Sequence, residues 1–180
     1  MTRPVLALLF LTFLSAQAAF AQTNCPVCAE AAKLRDALQK MQAGPATTSA
    51  EAESLGKQGL ALLGAFADNP PPPKQGRAAF EALVNLSAYA APVTKSGDYE
   101  KALAAIGLKN PDYRKRYQAM VRKGIRAKNR RESCQMRYLQ TNVSVAECKL
   151  QEAAKGASAN EAARLCNTDY DLAQCLAAKR

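Results

Sequence analysis

Cys25 and Cys28 are the residues of this 180-residue chain whose type and spacing most directly suggest chemistry. They frame Pro26-Val27 in the stretch Gln22-Thr23-Asn24-Cys25-Pro26-Val27-Cys28. Proline suits the first turn of a helix. A cysteine at a helix start has its thiolate favoured by the unpaired N–H groups there, which lowers its pKa. On that reading Cys25 is the nucleophile and Cys28 the resolving thiol of a thiol-disulfide oxidoreductase-like protein. The surroundings favour a structural staple instead. A thioredoxin-like site calls for a strand before the motif and a βαβ unit after it, whereas the residues that follow are helix formers.

The chain has no histidine. That removes Ser-His-Asp and Cys-His catalysis in their usual form, and histidine ligation of zinc or haem. Ala29 follows Cys28, so the CxxCH of covalent haem attachment is missing. No cofactor or metal is expected, no haem partner, and a non-enzymatic role is favoured over an enzymatic one.

Four more cysteines, Cys134, Cys148, Cys166 and Cys175, bring the count to six. Residues 1–21 read as a secretory signal peptide: Thr2-Arg3, an apolar run from Val5 to Leu14, and Ala19-Phe20-Ala21 before the cut. An even cysteine count behind such a signal implies a disulfide framework in an oxidising compartment, periplasmic or extracellular. Two pairings suit the last four cysteines about equally. One is nested, Cys148–Cys166 inside Cys134–Cys175; the other is sequential, Cys134–Cys148 and Cys166–Cys175. The order of a CxxC, two central and two late cysteines in a helical chain resembles the saposin family of lipid-binding helical domains, although 105 residues lie between Cys28 and Cys134. The resemblance implies that Cys25 and Cys28 clasp the first helix to Cys166 and Cys175.

Charge is unevenly placed. The formal net charge is +10, and from Lys109 to Arg137 eleven basic residues face only Asp112 and Glu132. Arg114, Lys115, Arg116, Arg122, Lys123, Arg126, Lys128, Arg130 and Arg131 are the candidate residues for an anionic partner. A solvated helix normally mixes in acids for i,i+4 pairs; this one hardly does. The partners that fit are an anionic envelope surface, a polyanion or an acidic protein. Export makes nucleic acid a poor target. Oligomeric state is left open.

The elements that position these residues are all helical. Alanine, leucine, lysine, glutamine and glutamate dominate, and all favour helix. Residues 22–180 form a single domain, long enough to bury about 70% of its unfolded surface. Val27, Ala31, Leu34, Leu38 and Met41 step by four and three along a first helix. A second starts at Ser49, with Ala52, Leu55, Gly59, Leu62, Leu63 and Phe66 as its stripe. A Pro-rich loop over 68–74 separates it from a third, running from about Gln75 until Pro92 ends it. A short fourth opens at Gly97. One long basic helix is expected over about 111–140, then three short cysteine-bearing helices over 144–180. Their start signals are Ser144/Glu147, Ser158/Glu161 and Thr168/Asp171. The fold class is therefore an all-α amphipathic helical bundle with a disulfide-tied C-terminal helical region.

Overall fold

The computed structural model describes residues 25–43 and 49–178. The signal-peptide assignment, residues 1–21, lies outside them. Among the described residues there are eight helices and no strand: α1 (Pro26–Ala43), α2 (Ser49–Asp68), α3 (Pro73–Thr94), α4 (Asp98–Lys109), α5 (Pro111–Ile125), α6 (Arg130–Ala154), α7 (Ala159–Leu165) and α8 (Leu172–Ala177). The all-α bundle and its disulfide-tied C-terminal region are both present.

The bundle is organised on α3 and α6. Helix α3 packs against α1, α2, α4, α5 and α6; α6 packs against α3, α4, α5, α7 and α8. The stripe on α1 faces inward as its spacing requires, with Ala31, Leu34 and Leu38 buried. Leu34, Leu38, Leu55 and Leu86 form a small apolar cluster joining α1, α2 and α3. The larger core is built round Phe66, Phe80 and Tyr113, whose ring centroids lie 4.8 to 5.8 Å apart. Aromatic pairs at such separations add to the stabilisation from area burial.

Three buried or half-buried tyrosines give the core its polar ties. Tyr99 donates its hydroxyl to Gly56 O, Tyr113 to Pro71 O at 2.7 Å and Tyr117 to Leu139 O at 3.2 Å. Each bond satisfies a group that burial would otherwise leave unpaired. Burial raises all three hydroxyls, Tyr99 and Tyr113 to about 12.

Several boundaries differ from expectation. The long basic helix over 111–140 is two helices, broken by the turn 126–129. Gly124 sits so close to Met136 that a Cβ there would lie 2.4 Å from its Cγ. Asn129 then caps α6 by accepting from the Glu132 N–H, and Ser133 donates to Ile125 O at 2.7 Å across the turn. The Asn129-x-x-Glu132 spacing carries this start signal, but the apolar pattern on either side masks it.

Ser144/Glu147 starts nothing, because it lies inside α6. Leu139, Val143 and Ala146 already form one buried stripe through it, so packing overrides the local capping option. Ser158/Glu161 does form a full capping box on α7. The last helix is capped by Asp171, which accepts from the Gln174 N–H at 2.8 Å, rather than started from Thr168. Pro92 does not end α3, which runs on to Thr94 with the Pro92 ring buried. Proline costs a helix mainly its bond to the residue four back, and here the turn ends two residues later, where Lys95 closes it on Ala91 O. Of the Pro-rich loop, Pro72 is the N-cap and Pro73 the first residue of α3.

Candidate functional site

The nine candidate basic residues divide by what their side chains touch. Arg114 pairs with Glu147 of α6 at 2.6 Å. Arg116 shares Glu81 of α3 with Arg77, its own contacts being 2.6 and 2.7 Å. Arg130 donates through its guanidinium to Cys175 O at 2.8 and 2.5 Å. These three hold elements together: α5 to α6, α5 to α3, and the end of α8 to the start of α6. Lys128 also has an interaction of its own.

Lys115, Arg122, Lys123, Arg126 and Arg131 are exposed, and none makes a side-chain hydrogen bond or ion pair among the described residues. Lys115, Arg122 and Arg126 fall at i, i+7 and i+11, which returns to the same side of α5 about every two turns. Lys123 flanks that line, and Arg131 follows the turn into α6. Arg122 and Lys123 also lie in the last turn of α5, where cations complement the negative end of the helix dipole. Among the described residues the large apolar side chains left exposed are Val93, Leu108, Leu150, Leu165 and Leu176. None is on α5, so this surface offers charge without an apolar anchor.

The cysteines pair as Cys25–Cys28, Cys134–Cys175 and Cys148–Cys166. The nested arrangement of the last four is the one formed. The clasp from Cys25 and Cys28 to Cys166 and Cys175 is not formed. The start of α1 packs beside α3, with Cys28 Sγ 3.7 Å from Gln75 O, while α7 and α8 lie on α6. The Cys25–Cys28 bond closes on the first turn of α1, where the Cys28 N–H donates to Cys25 O at 3.0 Å. Cys25 is buried and Cys28 half-buried, so the expected order of nucleophile and resolving thiol does not match their accessibility.

One acidic residue stands apart, and sequence reasoning passed over it. Glu100 is only 3% exposed, and its Oε2 has no hydrogen-bond partner. Burial pushes its carboxyl above the ordinary carboxylate range, against a lowering by its own backbone N–H. In sequence it is an acid in the first turn of α4, which reads as an exposed partner of the helix dipole.

Among the described residues no cluster of three or more His, Cys, Asp or Glu could hold a metal ion, and no helix is long and apolar enough to cross a membrane. The fold and surface define a disulfide-bonded all-α protein in which five exposed basic side chains without acidic partners lie along α5 and around the turn into α6. No family model, curated protein or solved structure matches the chain.

Proposed function

We propose that this is an exported, non-enzymatic helical protein that docks on an anionic surface through α5 and the turn that follows. The observation that carries this reading is the set of five exposed basic side chains, Lys115, Arg122, Lys123, Arg126 and Arg131, left without acidic partners. An unpaired stripe raises the local potential and attracts polyanions in a salt-dependent way. Three disulfides suit an oxidising compartment; with the leader read over residues 1–21, this supports the periplasm or the medium. The missing apolar anchor favours docking by charge rather than insertion into a bilayer.

The test separates a located site from net charge. Lys115, Arg122, Lys123 and Arg126 are changed to Glu in one variant. In the other, Lys33, Lys40, Lys57 and Lys155 are changed to Glu. Binding to heparin and to vesicles containing anionic lipid is measured from ~50 to ~500 mM salt, a range over which charge-driven binding is progressively screened. The first variant should lose at least about tenfold in affinity and most of the salt slope, and the second should stay near wild type. Equal losses in both refute a located site.

The Cys25–Cys28 bond favours a second reading, in which the motif passes its disulfide to a client dithiol. A client thiolate attacks the more accessible Cys28 Sγ; the Cys25–Cys28 bond breaks and Cys25 leaves as a thiolate, favoured by the α1 N-terminus. The client's second thiolate then attacks the client sulfur of the mixed disulfide and releases Cys28 as a thiolate. The client is oxidised by two electrons and the motif reduced by two. Incubation with a reduced dithiol peptide should yield one peptide disulfide per protein, with the two new thiols at Cys25 and Cys28 on mass mapping. No transfer, or new thiols elsewhere, ends this reading.

A further inference from the structure

The α3–α4 connection, the start of α4, α6 and the start of α7 border a half-open cavity of about 410 Å³. This lies within the usual size of small-molecule sites. Besides Gly97 and the neutral amide of Asn142, its walls carry three kinds of group. Tyr138, Val145 and Leu150 present apolar surface, and Ala146, Ala153, Ala159 and Ala162 line it with small side chains. Lys95, Lys101 and Lys149 also line it and are exposed. Lys101 has Asp98 at 3.9 Å, a loose pair, and no ion pair involves Lys95 or Lys149 among the described residues. The third is Glu100, whose buried Oε2 accepts nothing from the protein.

Those features ask for one ligand chemistry. A buried acceptor without a partner is costly, and a ligand hydroxyl would satisfy it. Three lysines at the opening favour an anion and disfavour a cation, so an amine is a poor match for Glu100 despite its charge. The four alanines of the wall leave room for a flat ring between α6 and α7, with Tyr138 as an aromatic neighbour. We infer that this cavity binds a planar hydroxyaryl carboxylate, its hydroxyl donating to Glu100 Oε2, its ring against Tyr138, Val145 and Leu150, and its carboxylate at Lys95, Lys101 and Lys149. The site is separate from the basic face of α5 and does not depend on it.

The probes are 4-hydroxycinnamate and cinnamate, which differ only in the hydroxyl, titrated by calorimetry into the oxidised protein. Wild type should bind 4-hydroxycinnamate about tenfold more tightly, the range of one hydrogen bond to a charged or strongly polar group. In Glu100→Leu the two affinities should become equal. In the Lys95→Gln, Lys101→Gln, Lys149→Gln triple variant both should weaken and lose their salt dependence. Amide shifts in wild type on adding 4-hydroxycinnamate should cluster in 95–101, 138–153 and 159–162, a readout that stands even if Glu100→Leu does not fold. Absence of binding, equal affinities in wild type, a hydroxyl preference that survives Glu100→Leu, or shifts centred elsewhere would each overturn the assignment.

Discussion

Close approach at a few glycines decides how tightly the helices can meet. At Gly76, in the first turns of α3, a Cβ would lie 2.1 Å from the Tyr113 hydroxyl and 2.6 Å from Pro71 Cγ. That space lets Tyr113 reach Pro71 O and complete the aromatic cluster with Phe66 and Phe80. Gly64 of α2 is the opposite case, since a Cβ there meets nothing within 4 Å. Gly76→Ala should therefore destabilise by about 1–3 kcal/mol, because neither the proline ring nor the held tyrosine can yield cheaply. Gly64→Ala should stabilise by up to about 1 kcal/mol through helix propensity alone. Urea unfolding followed by circular dichroism measures both, and a reversed order would mean that the α2–α3–α5 packing differs from that described.

Among the elements, α8 depends most on covalent help. It has six residues, none of them buried. Helices that short do not hold themselves together in water. What fixes α8 is the Cys134–Cys175 bond, with Arg130 donating to Cys175 O. Changing Cys134 and Cys175 to Ser should release it. Its amides should exchange at the rate of an unstructured peptide, while α3 keeps its place as a strongly protected element. The loss in global stability should be at most about 4 kcal/mol, the loop-closure value for a crosslink of this span. Hydrogen exchange with mass spectrometry reads both effects. Retained protection in α8 would show that side-chain contacts suffice. Helix α7 is better placed, because its capping box and the buried Ala162 reinforce the Cys148–Cys166 bond.

For the whole molecule, the charge excess of the 109–137 segment is divided by the fold. Part is turned inward to join elements, through Ala67 O, Glu81, Glu147 and Cys175 O. Lys115, Arg122, Lys123, Arg126 and Arg131 stay outside, on one side of α5 and around the turn. This division bears on the charge-reversal test: changing Arg114 or Arg116 would disturb packing as well as docking, whereas Lys115, Arg122, Lys123 and Arg126 report on docking alone. A salt slope that follows those four belongs to the assembled surface rather than to the +10 net charge.

Periodicity makes the helices legible along the chain. The stripes from Val27 to Met41 and from Leu55 to Phe66 are local, because a helix turn brings residues three and four apart to one side whatever lies beyond it. The same locality explains the Ser158/Glu161 cap. It does not extend to partners. The turn at 126–129 is hidden because no proline or glycine marks it and helix-favouring lysine and arginine run through it; the fold back of α6 along α5 is set by the Asn129 cap, the Ser133 bond to Ile125 O and the meeting of Gly124 with Met136. The choice between two cysteine pairings, the closing of Cys25 on its own neighbour, and the sorting of arginines into ties and free charges depend on which helices meet. So does the burial of Glu100, an ordinary first-turn acid in sequence. The sequence by itself determined the helices, their apolar sides and the bulk of the charge. The tertiary structure alone decided contacts between residues distant along the chain, because packing brings them together and no short-range spacing encodes it.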